Sequence, residues 1–225
     1  MTHFEQELQA LKDRLLTMGG HAEQAVRNSV RALTERDDEL AQRVKRDDDV
    51  LDRLEMEIDE HAIQLLAKAP LASDLRLITM AMKIGHDLER VGDEATAIAK
   101  RALDLDKEPP LRLQLDIPRL SSMALEMLKD ALDAFVQRDA ARARAVVPRD
   151  KPVDALHKEF QRTLAAHMTA EAAAINRCLH WLQVCKRLER IADHAANIAE
   201  EVVFLYEAED IRHRGAVVRG ASSGG

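Results

Sequence analysis

Aromatic residues make up only 3 % of this 225-residue chain, with one Trp and one Tyr. Strands draw on aromatic and β-branched side chains to pack a pleated surface, so the composition argues against an all-β sandwich. Glycine and proline are scarce, at eight and six residues, which leaves few places to break a helix. Cysteine is nearly absent. Cys178 and Cys185 stand seven apart, about 10 Å along a continuous helix, whereas a disulfide needs Cα atoms within roughly 7 Å. Both thiols therefore read as core groups on an apolar stripe. There is no basic excess either. Lys and Arg total 33 against 40 Asp and Glu, a net charge of −7, which argues against a general nucleic-acid binder. No apolar run approaches the ~18 residues of a membrane span. The first ten residues turn polar from Glu5 and form no secretory segment. A soluble, cytoplasmic chain is the expectation.

What is present is helical. Hydrophobic residues make up 46 % and charged residues 32 %, a globular balance dominated by Ala, Leu, Glu, Arg and Lys. The 3.6-residue periodicity predicts six helices, near 3–35, 38–68, 72–105, 117–137, 139–168 and 171–208. Asp37 and Ser73 are candidate N-caps. Pro148 and Pro152 are expected to kink or interrupt the fifth helix. The tail over 211–225, ending Gly-Ala-Ser-Ser-Gly-Gly, is expected to be disordered.

The chain repeats itself. Ala32 to Glu57 aligns with Ala134 to Glu159 at a shift of 102, with Arg36/Arg138, Asp37/Asp139, Asp48/Asp150 and Asp52/Asp154 among the identities. Farther on the shift becomes 100. Leu88-Glu89-Arg90-Val91-Gly92-Asp93 then aligns with Leu188-Glu189-Arg190-Ile191-Ala192-Asp193. The expected fold is all-α: two tandem three-helix bundles, spanning 1–108 and 116–210.

Each copy carries Glu-x-x-x-Asp in its third helix, Glu89/Asp93 and Glu189/Asp193, and a second pair in the preceding helix, Asp48/Asp52 and Asp150/Asp154. Like charges at i,i+4 share a face and cost a few tenths of a kcal/mol, yet the arrangement occurs in both copies. On a helical wheel the third-helix acids fall roughly 140–180° from the main apolar stripe, so the pattern does not describe a buried di-metal core. Folding copy one around a hairpin near Pro70 brings Asp48 level with Asp93, and Asp52 level with Glu89. Hard oxygen ligands at one level suit magnesium, calcium, manganese or iron, and zinc with carboxylate and water ligands is also possible. His86 and His194 adjoin the pairs; each occurs in one copy only, which favours surface histidines. A ferritin-like di-iron centre needs Glu-x-x-His, and no histidine has a Glu three residues before it. No nucleophile–base constellation or Gly-rich phosphate loop is present, so an enzyme is the weaker class. On residues alone, a regulator, a metal-dependent helical protein or enzyme, and a plain helical scaffold all stay open.

At these positions the sequence resembles the PhoU family of phosphate-uptake regulators. Pro70-x-x-x-Asp74-Leu75-Arg76 followed by Asp87-Leu88-Glu89-Arg90-Val91-Gly92-Asp93 is similar to that family's first repeat, and Leu188 to Ala199 to its second. The opening His3-Phe4-x-x-x-Leu8 through Met18 is similar as well. The resemblance implies two tandem three-helix bundles, often dimeric, in a cytoplasmic protein that is no enzyme and is peripheral to the membrane through protein partners. It implies negative regulation of the phosphate-starvation regulon, between the ATPase of the phosphate ABC transporter and a PhoR-type sensor histidine kinase. It implies divalent or multinuclear iron, zinc, manganese or magnesium at Glu89, Asp93, Glu189 and Asp193, with Asp48, Asp52, Asp150 and Asp154 matching less firmly. Lys151 stands opposite Asp49 and His157 opposite Glu55, departures that point to a weaker second metal site.

Overall fold

A computed structural model describes residues 2–68 and 70–211 of the chain. Among the described residues seven α-helices follow one another: α1 (His3–Glu35), α2 (Asp38–Leu66), α3 (Ala72–Asp106), α4 (Ile117–Gln137), α5 (Ala140–Val146), α6 (Asp150–Ala170) and α7 (Ile175–Glu207). They are the six expected helices with the fifth divided. Pro148 lies in a 3₁₀ turn, Val147–Arg149, that separates α5 from α6. Pro152 breaks nothing, because it falls in the first turn of α6, where a backbone N–H has no intrahelical partner.

Local chemistry fixes the helix starts. Thr2 and Glu5 form a reciprocal capping box on α1. Asp37, Asp116 and Asp139 accept from Leu40, Arg119 and Arg142 N–H at the starts of α2, α4 and α5. Ser73 does not cap: α3 begins one residue before it, with Leu71 at the cap and no side-chain acceptor. The first helix of each copy ends on an arginine in the left-handed region, Arg36 at φ 56° and Arg138 at φ 57°. Each donates its N–H to an equivalent carbonyl, that of Ala32 or of Ala134.

In the first bundle α3 packs on α1 and α2, and in the second α7 packs on α4, α5 and α6. The bundles join where α3 meets α7 and α1 meets α4. Along the α3–α7 seam, Arg76 reaches the Leu205 carbonyl, Lys83 pairs with Glu201, Asp87 with His194, Glu94 with Arg187, and Arg101 contacts His180. Numbers rise on one helix as they fall on the other, so the helices run antiparallel. Positions 87 and 94 of one copy meet the equivalents of 94 and 87 in the other. Such exchange is the mark of a local two-fold relation between the repeats. Glu94 is 4 % exposed and also accepts from Arg190, 2.9 Å away.

One continuous core of Leu, Ile, Val, Ala and Met crosses both bundles. Cys185 belongs to it, whereas Cys178 packs in a smaller cluster with Leu164 and Ala174. Both cysteines are free and buried, and burial pushes the Cys185 thiol up to about 12. Of the expected tail, only Ile211 is described, and it packs against the core; the remainder lies outside the described residues. No described helix is long and apolar enough to cross a membrane.

Candidate metal centre

α3 and α7 are central helices, each with neighbours on several sides. Their acids consequently do not stand in water opposite a single apolar stripe. The side chains of Glu89 and Glu189 are only 15 % and 11 % exposed. The single-stripe wheel failed because a helix with three partners buries faces that one stripe leaves open.

In the first bundle Glu89 faces α2 through Glu55 rather than Asp52. His86, one turn before Glu89, places Nδ1 3.0 Å from Glu55 Oε1. Glu55, His86 and Glu89 each offer one donor atom, and the three lie within 4.8 Å of one another. Two carboxylate oxygens and an imidazole nitrogen form a set suited to zinc, manganese or iron. One observation supports the fit. Glu89 Oε2 is buried without a hydrogen-bond partner; Arg90 Nε stands 3.4 Å away, close enough to attract it but not aligned as a donor. Burial raises the Glu89 pKa, Asp93 and Glu55 add to that, and Arg90 and His86 oppose it. Asp93 is held at 3.0 Å by Arg90. Asp48 adjoins Asp93 as the level argument expected: burial chiefly raises its pKa, the Thr96 hydroxyl opposes this, and Asp93 and Asp52 reinforce it. Asp52 is exposed.

In the second bundle the predicted acids Asp150, Asp154, Glu189 and Asp193 lie near one another. Burial raises the pKa of Asp150, with Asp154 and Glu189 adding and a hydrogen bond from Asp193 opposing. Asp193 is pushed up to about 6, first by burial and then by Glu189 and Asp150. Asp150 Oδ1 and His157 Nε2 are buried without hydrogen-bond partners. His157 is 5 % exposed, its Nδ1 lies 4.0 Å from Glu189 Oε1, and burial lowers its pKa. This cluster also has a cation of its own, because Lys186 donates to Glu189.

Two participants were not identified from sequence: Glu55 as a donor, and Lys186 as an internal counter-ion. The repeat held the signal, since it aligns His86 with Lys186 and Glu55 with His157. His194 is turned elsewhere, its Nδ1 2.8 Å from Asp87 Oδ1 across the seam. Arg190 likewise leaves its motif to pair with Glu94.

Comparison with known proteins meets this geometry. The PhoU domain family model matches twice, over residues 15–102 and 117–202. A phosphate-specific transport system accessory protein PhoU homolog of Pseudomonas aeruginosa is 42 % identical, covering 94 % of this chain and 88 % of its own. The protein of the same description from Rhizobium meliloti is 41 % identical, covering 91 % and 87 %. The crystal structure of PhoU from Pseudomonas aeruginosa superposes with a TM-score of 0.89 at 40 % identity, over 92 % of this chain and all of that one. The phosphate transport system regulatory protein PhoU from Streptococcus pneumoniae gives 0.87 at 28 % identity, over 93 % and 99 %.

Proposed function

The chain belongs to the PhoU family, and from that premise we propose that it is a negative regulator of the phosphate-starvation regulon. A general role in phosphate transport follows from the family, which comprises accessory regulatory proteins rather than enzymes. The finer reading is that the chain acts in the cytoplasm, as a homodimer, between the ATPase of the phosphate ABC transporter and a PhoR-type sensor kinase. The observation that carries it is the double domain match together with the fold it predicts. Deleting the chain from cells grown with ample phosphate is the test. A starvation reporter should switch on, and the wild-type chain should silence it again. A reporter that stays silent, with phosphate uptake unchanged, defeats the reading.

Metal belongs to the same proposal. In the first bundle Glu55, His86 and Glu89 would hold the ion, with Asp93 beside them; in the second, Asp150, Asp154, Glu189, Asp193 and His157 would do so. A bound divalent ion would supply fixed positive charge on an otherwise acidic face. It would neutralise these carboxylates, of which Glu89, Asp150 and Asp193 are now held toward their protonated forms, chiefly by burial. The chain's own residues set the face that a partner meets, with Arg90 turned to the motif in one bundle and Lys186 in the other.

A further inference from the structure

We propose that a cavity at the junction of the two bundles binds the phosphate group of a small molecule, through Lys12, Arg76 and Arg138. The cavity is about 570 Å³ and lies between α1, the first turn of α3, the α4–α5 turn and the end of α7. The repeat shows why its cations are available. Arg36 and Arg138 are the equivalent left-handed caps of α1 and α4. Arg36 is fully occupied: its Nη2 donates to the carbonyls of Leu105, Asp106 and Glu108, and its Nε lies 3.2 Å from Asp106 Oδ1. The equivalent of Asp106 in the second copy is Tyr206. Its hydroxyl donates to the Phe135 carbonyl and offers arginine no charge. Arg138 thereby loses the counter-ion that its twin has.

Lys12, from the other bundle, lines the same cavity and forms no ion pair among the described residues. It is half-buried, and Arg138 is close enough to help lower its pKa beyond what burial does. Arg76 completes the set. It is anchored over the Phe204 ring at 5.8 Å and by the Leu205 carbonyl at 3.4 Å. Two acids share the lining. Glu5 is engaged in the α1 capping box, and Asp74 offsets part of the charge. Two guanidinium forks and an ammonium from three elements suit a tetrahedral dianion better than a single carboxylate. Leu8, Leu77, Leu205 and Tyr206 line the remaining space. A cavity of this volume is in the range that holds an organic body as well as its phosphate.

Titration calorimetry on the full chain with AMP, inorganic phosphate and adenosine tests the site. AMP or phosphate should bind and adenosine should not. Tighter binding of AMP identifies a phosphate monoester; equal binding identifies the free ion. Lys12→Met and Arg138→Asn should each weaken binding at least tenfold without moving the melting temperature. Asn keeps the left-handed backbone, and neither Lys12 nor Arg138 holds an ion pair among the described residues. Arg43→Ala, an exposed change on α2, should alter nothing. The proposal is overturned by no binding of AMP or phosphate at millimolar concentration. It is equally overturned by binding that Lys12→Met and Arg138→Asn leave intact.

Discussion

The two bundles are built on one plan and differ in how they neutralise it. Both carry an aspartate pair on the second helix and Glu-x-x-x-Asp on the third. In the first, Glu89 meets Glu55 and the exposed His86, and one Glu89 oxygen is buried without a hydrogen-bond partner. In the second, the equivalents are His157 and Lys186, and Lys186 is already bonded to Glu189. A neutral imidazole can ligate a cation, whereas an ammonium competes with one. On the metal reading proposed above, the difference would place the tighter transition-metal site in the first bundle. It also shows that a duplicated motif need not mean duplicated chemistry, because the residue three before the motif decides the local charge.

The largest expected effect breaks this comparison directly. Glu89→Gln with His86→Ala should lower zinc affinity at the first site about 100-fold, close to 2.7 kcal/mol, measured by competition with a chromophoric chelator. In the same assay Lys186→Ala should raise affinity at the second site about tenfold; no gain would mean Lys186 is not the discriminating residue. Next comes the seam. Glu94 is buried against Arg187 and Arg190, while its equivalent is His194. Glu94→Ala should cost about 2 kcal/mol, read as a fall in melting temperature of several degrees. A loss within error would assign the seam's stability to its apolar contacts.

The third prediction concerns pH. Asp106 lies beside Asp38 and its pKa is raised to about 6, chiefly by burial; the second bundle has Tyr206 and Ala140 there. The folded state holds this proton where the unfolded chain has lost it. The contribution is therefore fully present below about pH 4 and disappears as pH rises through about 6. Asp106→Asn should flatten the stability profile over that window by about 1 kcal/mol, measured by urea unfolding at fixed pH steps. Asp38 and Arg36 face the same group and should both be kept.

The smallest effect sharpens the packing comparison. A Cβ on Gly92 would sit 2.3 Å from Leu51 Cδ1, while the second bundle has Ala192 and Val153 at the equivalent positions. The smaller glycine goes with the larger leucine, and alanine with valine. Gly92→Ala should destabilise by overpacking, and Leu51→Val by leaving a void. Combined, they should be less harmful than their sum by about 1 kcal/mol. Strict additivity would show that Leu51 simply turns aside.

The helices were legible because periodicity, aspartate caps and prolines act within a few residues of themselves. Asp37 was identified as a cap correctly; Ser73 was not, because α3 begins one residue before it. The level of Asp48 with Asp93 was also legible, since a hairpin fixes height along a helix. Facing was not. Asp52 points to water, while Glu55, one turn on, meets Glu89. Height needs only residue counts, but facing depends on how three helices rotate to bury their apolar sides together.

By itself the sequence determined an all-α chain of two repeats, with eight carboxylates at matching heights, because those properties rest on short-range order and on counting. Only the tertiary structure decided that α3 and α7 meet antiparallel. That meeting turns His194 and Arg190 to the seam, while the packing of α3 on α2 and of α7 on α6 half-buries Glu89 and Glu189. Each of these follows from which surfaces face each other after packing, and two positions a hundred residues apart carry no local signal of that.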